Sequence, residues 1–369
     1  MRPSRPSIHL VAVAALAVGL LAASCGSSSS TTSAGTTEAG PTTTVPDAPG
    51  ALRLVTHDSF AVSDAVLQAF ETETGIKVEI VHDGDAVEMV NKAILTKDDP
   101  QGDVLFGIDS NTLTNAFDAQ LFEPYESPGL ATVDPSYQLD TEHRVTPIDH
   151  GDVCLNYDKA WFAAKGLQPP TSMDDLTSTT YKGDLVTENP ATSTPGLAFL
   201  LATVAKYGND GWQGYWKDLR ANQVSVVDGW EAAYYTSFSG SSGKGDKPIV
   251  VSYATSPPAE VLDADPPPAD APTGVIEDSC FRQIEFAGVL TGSKRPAAAQ
   301  RFIDFLLSNE FQDDVPPNMY VLPVSSTATV PATFAKYSAD PADPLSLPSD
   351  QIGADSSDWI DAWTRTVLG

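Results

Sequence analysis

Carboxylate and imidazole side chains follow three short apolar runs in the first third of the chain. They lie in His57-Asp58-Ser59, His82-Asp83-Gly84-Asp85 and Ile108-Asp109-Ser110-Asn111. Carboxylates can face a cation or accept hydrogen bonds, and imidazoles can serve in proton transfer or metal binding. If the apolar runs are parallel strands, the three segments share the sheet edge at which α/β proteins bind their ligands.

Four further segments combine hydroxyl, carboxylate or aromatic residues at points where a regular element begins or ends. Loops at such points carry binding residues in many folds. The segments are Thr192-Ser193-Thr194-Pro195-Gly196, Asp228-Gly229-Trp230-Glu231, Ser252-Tyr253-Ala254-Thr255-Ser256-Pro257 and Asn318-Met319-Tyr320-Val321-Leu322-Pro323.

Residue patterns typical of catalysis are not found in the sequence. His57, His82, His143 and His150 do not form a His-x-x-x-His pair, and no Gly-x-x-x-x-Gly-Lys loop occurs. Asp149-His150-Gly151-Asp152 contains an acid and a base, but it follows a strand-like stretch and is also compatible with a crossover between lobes. We therefore predict a protein that is not an enzyme, with no catalytic residue, metal site or cofactor.

Alternating strand and helix patterns surround the first set of polar segments. Strands are predicted at 52–56, 77–81 and 103–107, with helices between them that carry apolar residues at helical spacing. This β-α-β-α-β order is typical of a parallel sheet covered by helices. Further helices are predicted at 197–207, 229–238 and 296–307, strands at 224–227, 248–253 and 281–290, and a Pro-rich loop at 266–272.

The first fifty residues predict export and a tether. A basic start at Arg2 and Arg5 precedes about fifteen apolar residues, fewer than the roughly twenty that span a bilayer. We interpret residues 1–24 as a signal peptide. Residues 25–50 are rich in Ser, Thr, Gly and Pro and are predicted to be a flexible tether.

Composition restricts the possible partners, and the cysteines suggest a bridge. The net charge is −28 at pH 7, so the basic stripe that nucleic-acid binding requires is absent. Cys154 and Cys280 form an even pair in an exported chain, which favours a disulfide. Two buried free thiols are the alternative.

Two resemblances extend this interpretation. Leu21-Ala22-Ala23-Ser24-Cys25-Gly26 resembles the lipobox of bacterial lipoproteins, which implies a lipid on Cys25 and anchoring to the outer face of the cytoplasmic membrane. The alternative is ordinary cleavage that leaves Cys25 free. From Thr56-His57-Asp58-Ser59-Phe60 to Ser252-Tyr253-Ala254-Thr255-Ser256-Pro257, the motifs resemble, in collinear order, the periplasmic thiamine-binding proteins of ABC importers, in the type II class of solute-binding proteins.

The second resemblance implies a two-lobed α/β fold of the type II periplasmic-binding-protein kind. Each lobe would be a mainly parallel sheet flanked by helices, with hinge crossovers between the lobes. We predict residues 51–152 plus 278–314 as the first lobe and 153–277 plus 315–369 as the second. The class also implies a monomer that delivers its ligand to an ABC importer permease, here thiamine or a thiamine phosphate.

Site roles follow from the same resemblance. Asp83 would face the cationic part of the ligand, Trp230 and Tyr253 would contact its rings, and Ser193, Thr194 and Ser256 would bind its polar end. His57, Asp109 and Tyr320 are further candidates. Tyr320 stands where the family tends to have tryptophan, and His57 and Ala259 stand where it tends to have tyrosine, so one aromatic wall is expected to be thinner.

Structural roles compete with several of these assignments. Asp83 before Gly84 also suits a turn or a helix N-cap, Trp230 also suits a core, and Ser193 before Thr194-Pro195 also suits a helix start. Other cationic solutes, such as a polyamine or a thiamine analogue, remain alternative ligands. Tyr234-Tyr235 resembles the tyrosine pair of ferric-ion binders, although neighbouring residues of a helix point about 100° apart.

Overall fold

The computed structural model describes residues 47, 50–241, 245–262, 264–339 and 341–369. The predicted signal peptide, Cys25 and nearly all of the predicted tether lie outside the described residues. Asp47 and Gly50 are the described residues of the tether, and the Asp47 carboxylate accepts hydrogen bonds from the amides of Ala297 and Ala298 at 3.0 and 2.9 Å. Of the helices in the described ranges, none has the length and apolar character needed to span a bilayer.

In the described part of the chain, ten strands form one continuous mixed sheet. Eight of them run in the order β2-β1-β3-β9-β5-β8-β6-β7, with β4 beside β9 and β10 beside β5. The strands are β1 (Leu52–Thr56), β2 (Val78–His82), β3 (Val104–Asp109), β4 (Phe122–Glu123), β5 (Thr146–Asp158), β6 (Leu185–Glu188), β7 (Ser225–Val227), β8 (Ile249–Tyr253), β9 (Thr273–Leu290) and β10 (Leu322–Pro323).

Helices pack on the sheet and occupy the connections. They are α1 (Asp64–Thr74), α2 (Ala86–Leu95), α3 (Leu113–Asp118), α4 (Lys159–Lys165), α5 (Thr194–Ala221), α6 (Ser256–Leu262), α7 (Pro296–Leu306), α8 (Asn309–Gln312), α9 (Val315–Met319), α10 (Ala332–Tyr337) and α11 (Ser349–Val367), with a π-helix at Ala232–Ser237.

The first lobe is built on β1, β2 and β3, which pair in parallel as predicted. The backbone between them follows the expected pattern. Helix α1 ends at Gly75, whose φ of 70° suits glycine, and α2 begins after the N-cap residue Asp85. Buried apolar residues fill both faces of the sheet, including Leu54, Phe70 and Phe302 on one face.

The second lobe repeats this arrangement with β6, β7 and β8. Strand β6 pairs in parallel with both β7 and β8. Helix α5 covers the sheet and is longer than the predicted 197–207 because two helices adjoin at Gly208, whose φ and ψ are 69° and 173°. Trp212, Trp216 and Trp363 are buried in this core.

Strands β5 and β9 join the two lobes. They pair antiparallel from Thr146 opposite Ala287 to Asp158 opposite Thr273. Strand β3 continues the sheet from β9, and β8 continues it from β5. Every other strand therefore depends on this central pair. The residue limits given above for the two lobes stay a prediction. Residues 315–369 were assigned to the second lobe, but Val315, Val321 and Val324 pack with Phe302 in the core of the first lobe.

The predicted bridge between Cys154 and Cys280 is confirmed, with an S–S distance of 2.01 Å. It joins β5 to β9 where their register shifts between Val153 and Leu155. Both cysteines are buried beside Ala254. The disulfide therefore connects the central strands at the point where their ladder is interrupted.

Removal of this disulfide should destabilise the protein. The bridge closes a loop of 126 residues, and a bridge that closes a loop of this length contributes about 2–5 kcal/mol. The double variant Cys154→Ala/Cys280→Ala should therefore unfold at a lower urea concentration. Wild-type protein measured in reductant is the matched control, and its free energy of unfolding should fall by the same amount as that of the variant. An unchanged urea midpoint in the variant would contradict this role of the bridge.

Candidate functional site

A cavity of about 280 Å³ lies where loops of both lobes meet beside β5 and β9. Its wall is acidic and aromatic at the same time. The acidic lining residues are Asp58, Asp85, Asp149, Glu231 and Glu285, and the aromatic ones are Phe60, Trp230, Tyr234, Tyr235, Tyr253 and Tyr320. Among the described lining residues there is no lysine or arginine. The cavity thus combines negative charge with π-faces, which is an environment suited to an organic cation.

Trp230 is the centre of the aromatic wall. Its ring stacks on Tyr234 at 5.0 Å between centroids and meets Tyr253 at 6.5 Å and 63°. Its indole Nε1 donates to the Ser252 hydroxyl at 2.9 Å. Because the polar edge is held by Ser252 and one face by Tyr234, the orientation of the ring is set before any ligand enters.

Asp85 connects the two lobes at the cavity. It is the N-cap residue of α2 and accepts from the Ala86 amide at 2.7 Å. Its carboxylate also accepts from the amides of Trp230 at 3.0 Å and Thr194 at 3.4 Å. Burial raises the pKa of Asp85, and the hydrogen bond from Trp230 and the nearby His57 act in the opposite direction.

His57 lies between the acidic residues and the backbone of β3. Its Nε2 is 3.2 Å from Oε1 of Glu285, in an orientation that does not make a hydrogen bond. Burial lowers the pKa of His57, while Asp85, Asp149 and Asp58 oppose that shift. Gly107, with φ of 106°, makes room for the imidazole, because a Cβ there would lie 2.4 Å from His57 Cδ2.

Asp149 and Glu285 form a buried acidic pair on the central strands. They lie opposite each other in the β5–β9 ladder, next to a register shift. Burial raises the pKa of Asp149, as does the neighbouring Glu285. Burial also raises the pKa of Glu285 to about 8.

Six of the residues predicted from the sequence line the cavity. They are His57, Thr194, Trp230, Tyr253, Ser256 and Tyr320. The Ser256 hydroxyl accepts from the Tyr253 amide at 3.1 Å and lies 2.8 Å from the Ser252 hydroxyl. The Thr194 hydroxyl accepts from the Gln283 amide group at 3.3 Å. The structure therefore brings together residues from several of the predicted polar segments.

Three predicted residues lie elsewhere. Asp83 is outside the lining and pairs with Lys92 at 3.0 Å. Asp109 is fully buried and accepts from Asn111 and Thr112, and burial raises its pKa to about 6. Ser193 is the buried N-cap residue of α5. Among the described residues the Ser193 hydroxyl has no hydrogen-bond partner, and the site roles of these three residues stay predictions.

Sequence reasoning missed the residues that make the cavity acidic. Asp85 was recognisable as a capping residue before the apolar positions of α2, and the N-terminus of that helix points toward the cavity. Asp149 belongs to the Asp149-His150-Gly151-Asp152 segment that the sequence marked as a possible crossover, but its pairing with Glu285 had no local signal, since the two lie 136 positions apart and meet only through strand register.

The tyrosine pair Tyr234-Tyr235 has a structural role for its first member. The Tyr234 hydroxyl donates to Glu260 at 2.7 Å, and burial raises its pKa well above the usual range. Within the described ranges no cluster of three His, Cys, Asp or Glu side chains is arranged to hold a metal ion.

Comparisons with known proteins agree with this geometry. Residues 99–347 match the family described as bacterial extracellular solute-binding protein. A thiamine-binding periplasmic protein of Salmonella typhimurium strain LT2 is 31% identical over 325 residues, 87% of this chain and 94% of the relative. A relative of the same description from Escherichia coli K12 has the same identity and coverage. A solved structure described as a periplasmic thiamin binding protein superposes with a TM-score of 0.77 at 29% identity, covering 88% of this chain and 99% of the other.

Substitution of Gly107 should show how tightly His57 is packed. Gly107→Ala adds a Cβ that meets the imidazole at a backbone angle unfavourable to L-residues, and we expect a loss of roughly 1–3 kcal/mol in the free energy of unfolding. Gly75→Ala is the matched control, because its φ is 70° and no atom lies within 4 Å of the added Cβ. Adding His57→Ala to Gly107→Ala should recover part of the loss. Equal urea midpoints for the two glycine variants would contradict this packing.

Proposed function

The chain belongs to the bacterial extracellular solute-binding protein family, and we propose that it captures thiamine, or a thiamine phosphate, and delivers it to an ABC importer. Family membership makes it a solute-binding protein of the two-lobed type II kind and not an enzyme, as the sequence predicted. The relatives that match most of the chain are described as thiamine-binding.

The acidic and aromatic lining carries the thiamine proposal. Thiamine contains an aminopyrimidine and a thiazolium ring with a fixed positive charge. A cation over an aromatic face gains about 0.5–2 kcal/mol, depending on desolvation. Nanomolar binding requires about −12 kcal/mol in total, so ring contacts, carboxylates and lobe closure have to act together. The cavity offers the first two from residues already held in place.

We assign the ring contacts to Trp230 and Tyr253, with Tyr320 as a further wall. Thr194 and Ser256 would hydrogen-bond the polar end of the ligand. The carboxylate role predicted for Asp83 is better suited to Asp85, which lines the cavity and is itself held by the amides of Trp230 and Thr194. His57 completes the wall beside Phe60. Ser193 and Asp109 would act indirectly by shaping the loops.

The resemblance of residues 21–26 to a lipobox suggests how the protein stays near the permease. We propose that Cys25 carries a lipid on the outer face of the cytoplasmic membrane, that residues 25–50 link it to the binding lobes, and that the protein acts as a monomer. Asp47 would mark the end of the tether, since its contacts with the amides of Ala297 and Ala298 connect it to the start of α7.

Thiamine titration of the purified mature protein, monitored by tryptophan fluorescence, tests the ligand. We expect saturable quenching at sub-micromolar thiamine. Trp230→Ala and Asp85→Asn should each weaken binding by tenfold or more, about 1.4 kcal/mol, because they remove a ring face and a buried charge. Asp83→Asn is the matched control and should bind like wild type. No response up to millimolar thiamine, in protein that melts cooperatively, would reject thiamine, and polyamines and ferric ion would be titrated next.

The mass of the membrane-extracted protein tests the anchor. Wild-type chain should lack residues 1–24 and carry acyl groups on Cys25, and it should partition into detergent. Cys25→Ala should remain unacylated and appear in the aqueous phase, whereas Cys154→Ala should remain acylated as the control. An unmodified Cys25 at the mature N-terminus would reject the lipid anchor.

A further inference from the structure

Two buried carboxyl groups face each other at the wall of the cavity. Asp149 on β5 and Glu285 on β9 are register partners, and both line the cavity. Asp149 is 2% exposed, and the side chain of Glu285 is 12% exposed. Among the described residues no N–H or hydroxyl group donates to Oδ2 of Asp149, whereas the side chains of Asp149 and Glu285 hydrogen-bond each other. A hydrogen bond between two carboxyl groups requires a proton on one of them.

The groups around this pair are predominantly acidic. Titratable groups from four elements surround the pair and shift its pKa values or those of its neighbours. They are His57 and Asp58 after β1, Asp85 at the N-cap of α2, Asp109 at the end of β3 and Tyr253 at the end of β8. Glu231 is also close to His57. Arg282, the nearest arginine along β9, donates to Asp152 at 3.2 Å. Burial lowers the pKa of His57, which favours its neutral form, and the surrounding carboxylates oppose that shift.

Two carboxyl groups packed together away from water cannot both ionise without a neighbouring positive charge. In the ligand-free protein a proton provides that charge, and it is shared between Asp149 and Glu285. An organic cation in the cavity would provide it instead. The proton and the ligand therefore compete for the same pair of side chains.

On the basis of the proposed function, we propose that Asp149 and Glu285 are the subsite for the positively charged ring of the ligand, and that binding of this cation releases their shared proton to solvent. The exchange conserves charge within the cavity: one proton leaves as one fixed positive charge enters. Asp85 and Trp230 contribute to affinity in this arrangement, whereas the Asp149–Glu285 pair also makes affinity depend on pH.

The direction of the pH dependence follows from this exchange. The pKa of Glu285 is raised to about 8 in the free protein, and a bound cation would lower the pKa of the pair. Thiamine binding should therefore strengthen as pH rises, by up to about tenfold per pH unit below the pKa of the free pair, and level off above it. The free energy of unfolding of the ligand-free protein should fall as pH rises toward the pKa of the folded pair. The reason is that the folded pair still binds a proton that the unfolded chain has already released.

Isothermal titration calorimetry of the full mature chain with thiamine tests this proposal. Titrations at several values from about pH 6 to about pH 9, each in two buffers of different ionisation enthalpy, give both the affinity and the number of protons released. We expect close to one proton released near neutral pH and binding roughly tenfold weaker or more at about pH 6 than at about pH 8. The charge of free thiamine, followed by NMR over the same range, corrects for protonation of the ligand.

Substitutions identify which side chains release the proton when the ligand binds. Asp149→Asn and Glu285→Gln preserve side-chain size, and each should weaken binding and remove most of the proton release. Asp83→Asn should leave both quantities unchanged, because Asp83 pairs with Lys92 outside the cavity. His57→Gln should retain the proton release. If His57→Gln removes it and the carboxyl variants retain it, the histidine is the titrating group and the proposal is overturned.

Two further outcomes separate this inference from the proposed function. If thiamine binds with an affinity independent of pH and with heats independent of buffer, the function stands and the proton exchange is overturned. If thiamine does not bind at any pH to protein that melts cooperatively, both the function and the exchange are overturned. Cooperative melting of each variant excludes misfolding as the cause of a lost signal.

Discussion

The antiparallel pairing of β5 with β9 is the constraint on which the rest of the molecule depends. Strand β3 attaches to β9 and β8 attaches to β5, so each lobe joins the sheet through one of these two strands. The same ladder places Asp149 and Gly151 opposite Glu285 and Gln283 at the cavity wall. The disulfide holds the ladder together where its register shifts. One pairing thus sets the lobe connection and the position of the buried acids together.

The cavity illustrates how a binding site can conflict with stability. Buried carboxylates are costly unless they are protonated, hydrogen-bonded or paired with a positive charge. Hydrogen bonds from Asn111 and Thr112 offset part of this cost at Asp109, and backbone amides offset part of it at Asp85. Asp149 instead hydrogen-bonds Glu285, and among the described residues no N–H or hydroxyl group donates to its Oδ2. In the proposed exchange a bound cation takes the place of the proton between these two carboxyl groups.

The two aspartates of the loop after β2 show how far local sequence can locate a site. Asp83 and Asp85 are separated only by Gly84, and either could have been the binding carboxylate from the sequence alone. Gly84 has φ of 90°, which turns the chain between them. As a result Asp83 points to Lys92 on the outer side of α2, and Asp85 caps the helix and faces the cavity. A two-residue difference in sequence becomes a difference in position relative to the cavity, because the turn separates the two side chains.

The sequence by itself determined the elements with strong local signals: the parallel strands β1 to β3, the helices between them, the family resemblance, and the aromatic residues Trp230 and Tyr253. Hydrophobic periodicity and capping residues act over a few positions, so these features need no tertiary information. The 136-residue separation of Asp149 and Glu285, by contrast, is bridged only by the register of β5 and β9. Tertiary structure alone decided which carboxylates line the cavity, because burial and the approach of like charges depend on strand pairing and not on local pattern.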